Sequence, residues 1–239
     1  MPYLAVFPAL CDSNAMDHEH AKSGEKIALV TGASRGLGAA MAEALGARGY
    51  HVIAVARTTG ALEELDDRIR AAGGAAATLA PMDVIEAPAM MQLAGAIAGR
   101  WGGIDVWVHT AIHAAPLTPA GHVDGKDWAK SLNVNATATQ NLIGLLEPLL
   151  RARNGVAIIP DDPRGGQKFF GAYGASKAAQ MALVDSWRAE SERLGPRVLT
   201  PEPSPMPTAI RGRFFPGEDR AALAPCAGEA EKILDAAGL

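Results

Sequence analysis

The chain has almost no cysteine. Cys11 and Cys226 are the two in 239 residues, far apart and in no metal or redox spacing. That excludes a disulfide framework and a thiolate metal site, and it fits idle thiols in a reducing cytoplasm. Long apolar runs are missing too: none approaches the roughly 18–20 residues needed to span a bilayer. Basic excess is absent, with a net charge of −4 and a pI near 5.9, so no nucleic-acid-binding face is implied. The apolar opening MPYLAVFPALC carries no Lys or Arg ahead of it and does not read as a secretory signal. Ser13 to Met16 read SNAM, either natural sequence or a cloning scar. The polar stretch DHEHAKSGEK sets His18 and His20 beside acids, as expected of a solvated lead-in. Residues 1–25 are therefore expected to form a loosely ordered extension.

What is present is a globular composition, 49% apolar and 20% charged, long enough to bury a sizeable core. Short apolar runs fall at 26–30, 51–56, 77–83, 104–109, 155–159 and 197–201. They lack polar alternation, as parallel strands covered on both faces do. Between them lie longer helical patterns, each closing near a Gly or a basic turn. Strand–helix alternation of this kind predicts an α/β, Rossmann-like, doubly wound parallel sheet. No linker or repeat divides it, so residues 26–239 are read as one dinucleotide-binding domain.

The stretch KIALVTGASRGLGAAMAEALG places Gly32, Ser34, Arg35, Gly36, Leu37 and Gly38 between the first strand and the first helix. A glycine pattern alone is weak evidence. In this strand–turn–helix context it predicts a pyrophosphate cradle, because the helix start offers free N–H groups and a positive dipole end. The second strand ends VAVART. Where NAD sites usually carry an acid for the ribose 2′-hydroxyl, this chain has Ala56 and then Arg57. With Arg35 in the loop, two guanidinium groups and no acid favour the 2′-phosphate of NADP(H).

Together with YGASK at 173–177, the loop TGASRGLG resembles the signatures of the short-chain dehydrogenase/reductase family over roughly residues 26 to 212. The resemblance implies further roles. Asp83 matches the position that holds the adenine amine, followed by Val84. Asn135 matches an active-site asparagine that holds a relay water beside Lys177. Pro203 and Thr208 match positions near the nicotinamide. Tyr173 would be the general acid/base and Lys177 the ribose anchor. The implied reaction is hydride transfer between NADP(H) and a small carbonyl or alcohol. A homodimer through helices near 126–151 and 172–194 is implied as well, with a tetramer possible, in the cytoplasm and without membrane or nucleic acid.

Several family features are absent. HTAI, His109 to Ile112, replaces NNAG, a segment that normally steadies the sheet and lines the cofactor floor. After Pro203 the usual glycine is Ser204, and the tail after Thr208 carries no run like the last edge strand, so six strands are expected. Thirteen residues before Tyr173, where the family's serine belongs, stands Pro160. Residues at i and i+4 share a helix face, so Tyr173 and Lys177 point the same way. A neighbouring ammonium is expected to pull the phenol toward working pH. A lost donor at such a site costs about 10²–10³ in rate. Asp161 and Asp162 follow Pro160 directly as substitutes, of which only a protonated one could donate, and His113 after the fourth strand is a further candidate donor. Three readings stay open. They are an oxidoreductase, an NADP-binding pseudoenzyme with a regulatory or structural role, and a lyase resembling the halohydrin dehalogenases. The last disagrees with the retained Lys177 and intact loop.

Overall fold

Six parallel strands carry the computed structural model, which describes residues 24–239. Cys11, His18, His20 and most of the expected N-terminal extension lie outside the described residues. The strands are β1 (Lys26–Thr31), β2 (Tyr50–Ala56), β3 (Thr78–Pro81), β4 (Val106–His109), β5 (Val156–Ile158) and β6 (Arg197–Leu199). Their order in the sheet is β3-β2-β1-β4-β5-β6. Helices α1 (Gly36–Ala47), α2 (Thr59–Ala71), α3 (Ala87–Trp101), α4 (Gly125–Leu132), α5 (Ala138–Arg151) and α6 (Gly171–Ser191) make the crossovers.

The continuous apolar strands are explained by the two covered faces. Along β1, Ala28 and Val30 face one core, which packs Met41 and Leu45 of α1 and Leu65 and Ile69 of α2. Ile27 and Leu29 face the other, which packs Ile97 of α3, Leu146 of α5 and Val184 of α6. Pairing Leu29 with Ile53 on one side and Trp107 on the other fixes the register so that each strand keeps this division. The chain departs from β1 toward β2 on one side and reaches β4 on the other. That switch point opens a crevice beyond the carboxyl ends of β1 and β4.

After β6 no seventh strand follows among the described residues. The tail forms α7 (Ala209–Phe214) and α8 (Cys226–Ala236). Helix α8 returns to α1, burying Ala230, Ile233 and Leu234 in the first core. Arg48 at the end of α1 pairs with Glu231 and Asp235 of α8 and donates to the carbonyl of Leu239. One helical expectation is corrected. The pattern near 126–151 is α4 and α5 joined by a π-turn over Asn133–Thr137. The extra residue in that turn presents Asn135 inward, and π-turns mark functional sites with some frequency.

Candidate active site

Glycine is required at the first turn for steric reasons. Gly32 has φ +85°, and a Cβ there would come within 2.5 Å of Ala111 N. A Cβ on Gly38 would collide with Thr110 Oγ1 and the Gly32 carbonyl. The loop is pinned to β2 by Gly32 N and Ala33 N donating to Val55 O at 2.9 and 3.1 Å. Arg35 caps α1 with extended backbone and no side-chain cap hydrogen bond. The first-turn N–H groups thus have no intrahelical partner and no side-chain cap, which suits a pyrophosphate.

The replacement of NNAG by HTAI is filled by other polar groups. Thr110 donates to Thr31 O twice, from N at 2.8 Å and from Oγ1 at 2.9 Å. His109 is buried between Thr31 Oγ1 at 2.8 Å and Thr139 Oγ1 at 3.0 Å. Burial, and then the charge of Lys177, lowers its pKa to about 3, so the ring is neutral and acts as a strut between β4 and α5.

At the other end of the crevice Arg35 and Arg57 are exposed. Arg57 Nη1 lies 3.7 Å from Asp83 Oδ2, an exposed pair of small energy that leaves the guanidinium available. Arg68 of α2, held at 2.7 Å by Glu43 of α1, lines the same region. No motif marks Arg68, because the packing of α2 on α1 is what carries it there.

Tyr173 and Lys177 sit on the first turns of α6, buried to 3% exposure each. Lys177 Nζ donates to Pro160 O at 2.9 Å and to Gln180 Oε1 at 2.7 Å. Gln180 is oriented in turn by donating to Thr139 Oγ1 at 2.8 Å, so the His109 strut extends to the ammonium. Burial outweighs Asp161 and Asp162 and lowers the Lys177 pKa to about 8. The Asn135 side chain makes no direct hydrogen bond to Lys177 and is engaged by His113 and by Ser176, the neighbour of Lys177. Its Oδ1 accepts from His113 N at 2.7 Å, and its Nδ2 donates to His113 O at 2.9 Å and Ser176 Oγ at 2.8 Å. Its observed contacts orient the post-β4 segment and α6.

The expected pull of Lys177 on the phenol is overturned in this structure. Tyr173 Oη donates to Asp162 Oδ2 at 3.0 Å. Burial first, and then the Asp162 carboxylate, push the phenol well above its ordinary value. Arg164 Nε lies 2.7 Å from Asp162 Oδ1. Its N–H is poorly aligned, which makes this a charge contact rather than a directed hydrogen bond.

One cleft of about 1020 Å³ gathers these groups. Gly32, Ser34, Arg35, Gly36, Leu37, Gly38, Arg57, Asp83, Val84, Tyr173, Lys177, Pro203 and Thr208 all line it, and Asn135 does not. Thr208 caps α7 by accepting from Arg211 N at 3.2 Å, and a Cβ on Gly36 would lie 3.4 Å from Thr208 Cγ2. The segment after β6 therefore closes over the glycine loop. Phe214 of α7 packs against Tyr173 with ring centroids 4.9 Å apart and planes tilted by 59°, forming an apolar wall beside the phenol.

Known proteins resemble the chain in sequence and in fold. The chain is 31% identical over 201 residues to an uncharacterized oxidoreductase of Mycobacterium bovis, covering 79% of this chain and 59% of that one. It is 31% identical over 190 residues to a glycine betaine reductase of Emericella nidulans, covering 78% of this chain but only 15% of the larger protein. Among solved structures, a protein described as a short-chain dehydrogenase from Escherichia coli CFT073, complexed with NADPH, superposes with a TM-score of 0.81. Its identity is 29%, with 85% of this chain and 86% of that one covered. The family model for short chain dehydrogenases matches residues 26–219, and the chain belongs to that family of oxidoreductases.

Proposed function

We propose that the protein transfers hydride between NADP(H) and a small carbonyl or alcohol, with Tyr173 as the acid/base and Lys177 as the ribose anchor. The observation that carries this reading is the meeting of the uncapped glycine-loop helix, the exposed Arg35 and Arg57, and the buried Tyr173 and Lys177 in one cleft. When bound, the cofactor supplies or takes the hydride. The chain's residues do the rest. N–H groups of Ser34 to Gly38 cradle the pyrophosphate, and the guanidinium groups of Arg35 and Arg57 receive the 2′-phosphate. Asp83 and Val84 border the adenine. An ammonium has three N–H donors. Two are spent on Pro160 O and Gln180 Oε1, and the third meets only the Met181 thioether at 4.0 Å, a weak acceptor that a ribose hydroxyl can displace. Tyr173 moves the substrate proton beneath the apolar lid of Phe214, while Pro203 and Thr208 border the reacting end. Asn135 holds the surrounding backbone rigid.

A second reading has its own support. With Pro160 in place of the family serine and the phenol donated to a carboxylate, an NADP-binding protein without turnover fits the same cleft. One assay separates the two. NADPH consumption is followed over a panel of aldehydes, ketones, dicarbonyls and quinones, with Tyr173→Phe alongside. Turnover that the variant loses supports the reductase. No turnover on the panel, or an unaffected variant, favours the non-catalytic reading. Helices α5 and α6 turn small exposed residues outward, Gly144, Ala175, Ala178 and Ala182 among them, which suits a close-packed homodimer.

A further inference from the structure

Asp162 occupies the space around the Tyr173 hydroxyl that the family serine would serve, and it does so with opposite chemistry. A serine donates to the substrate oxygen; a carboxylate accepts. At 3.0 Å, Tyr173 Oη already gives its proton to Asp162 Oδ2, within a pocket walled by Phe170 and Phe214. Arg164 at 2.7 Å supplies the opposite charge that makes the carboxylate tolerable in that setting. If the contact were only packing, an amide would serve equally well.

We propose that Asp162 is a second catalytic residue, the terminal proton acceptor of a Tyr173–Asp162 relay. As an alcohol substrate gives its hydroxyl proton to Tyr173 Oη, the phenol's own proton passes to Asp162 Oδ2. The C–H bond of the alcohol breaks with its electron pair, and the hydride goes to the oxidised nicotinamide cofactor. The O–H bond of the alcohol breaks, that of the phenol is exchanged, and one O–H bond forms on the carboxyl. The products are a carbonyl compound and protonated Asp162, and reduction runs the same steps backward. This inference rests on the proposed function. It also removes the difficulty that a phenol so buried and so close to a carboxylate does not hold a negative charge: in the relay it never has to. The charged groups facing the pair are Asp161 and Arg164 from the same loop, Lys177 of α6, and Arg211 of α7 with its partner Glu218.

Asp162→Asn tests this, because an amide oxygen can still accept the phenol's hydrogen bond but cannot take its proton. The chain has three tyrosines, so 3-fluorotyrosine labelling gives a fluorine spectrum in which Tyr173→Phe identifies the resonance. In the ligand-free proteins that resonance is expected to differ between wild type and Asp162→Asn, because a carboxylate polarises the phenol O–H more strongly than an amide does. In alcohol oxidation, followed through the reduced nicotinamide, the wild type loses rate as pH falls. Asp162→Asn is slower by about 10²-fold, and its rate climbs with alkalinity instead. A resonance that behaves alike in both proteins, an unchanged pH profile, or a faster Asp162→Asn enzyme overturns the relay while leaving the proposed function intact. A wild type that oxidises no alcohol and reduces no carbonyl overturns both.

Discussion

Replacing Lys177 by Met should change how stability depends on pH, and the size follows from the burial of the ammonium. Its pKa falls from the ordinary 10.5 to about 8, with burial as the leading cause. At about 1.4 kcal/mol for each tenfold change in protonation, the charged lysine costs the fold roughly 3 kcal/mol at neutral pH. The direction is set by which state binds more protons. Between pH values of about 8 and 10.5 the unfolded chain keeps this proton and the folded chain does not, so wild-type stability rises with pH in that window. Below the window the penalty is at full value; above it, none remains. Methionine does not titrate. Removing the ammonium also leaves Pro160 O and Gln180 Oε1 without their donor. That loss of about 1–3 kcal/mol is nearly independent of pH. The absolute gap between the two proteins therefore mixes two effects, but its pH dependence isolates one. From pH 7 to 9.5 the wild type should gain on Lys177→Met by roughly 2 kcal/mol. Urea denaturation at a series of pH values, with equal slopes in both proteins, reads the quantity directly. A gap that stays constant across this range would refute the reasoning, and with it the claim that the site holds a desolvated lysine.

Two further substitutions probe the cofactor end. Gly38→Ala sets a methyl group against Thr110 Oγ1 and the Gly32 carbonyl, which is backbone and cannot swing aside. It should lower stability by about 1–3 kcal/mol and weaken NADPH binding more than tenfold, as read by thermal melting and fluorescence titration. Gly60→Ala, with nothing within 4 Å of the new methyl, is the matched control and should do neither. On the proposed function, Arg57→Ala removes a charge-assisted contact to the 2′-phosphate. NADPH affinity should fall about 10- to 100-fold while NADH affinity holds, and equal losses for both nucleotides would place Arg57 outside the phosphate site.

The sheet could be read from the chain because its rules are local. KIALV, HVIAVA and IDVWVH are apolar at every position since both strand faces are covered, and the glycine loop follows a strand and opens a helix, as a phosphate cradle requires. The π-turn at Asn133–Thr137 was not legible, because one inserted residue barely disturbs the apolar spacing on either side of it. The surroundings of Tyr173 were hidden for another reason. Its partner Asp162 lies eleven residues away on an irregular segment. The path of that segment is set by Phe169 at φ +71°, which turns the chain so that Phe170 meets Phe214 edge-on at 4.9 Å. A left-handed phenylalanine has no sequence signature.

Pro160 shows where side-chain reasoning stops. Read as a letter, it is a serine lost from a catalytic set. Read as a peptide unit, it still has a carbonyl, and that carbonyl holds Lys177 at 2.9 Å. Proline surrenders an N–H and keeps the acceptor, so the substitution removes a donor toward substrate without loosening the lysine. The sequence weighed the missing hydroxyl and could not weigh the backbone oxygen, because every residue has one and only the fold decides where it points. The same holds for Gln180 and Thr139, whose ordinary letters become a strut from His109 to the ammonium once α5 and α6 are packed together. On the proposed function, what Pro160 withholds is therefore a donor toward the substrate oxygen, and the group that stands beside the phenol is Asp162.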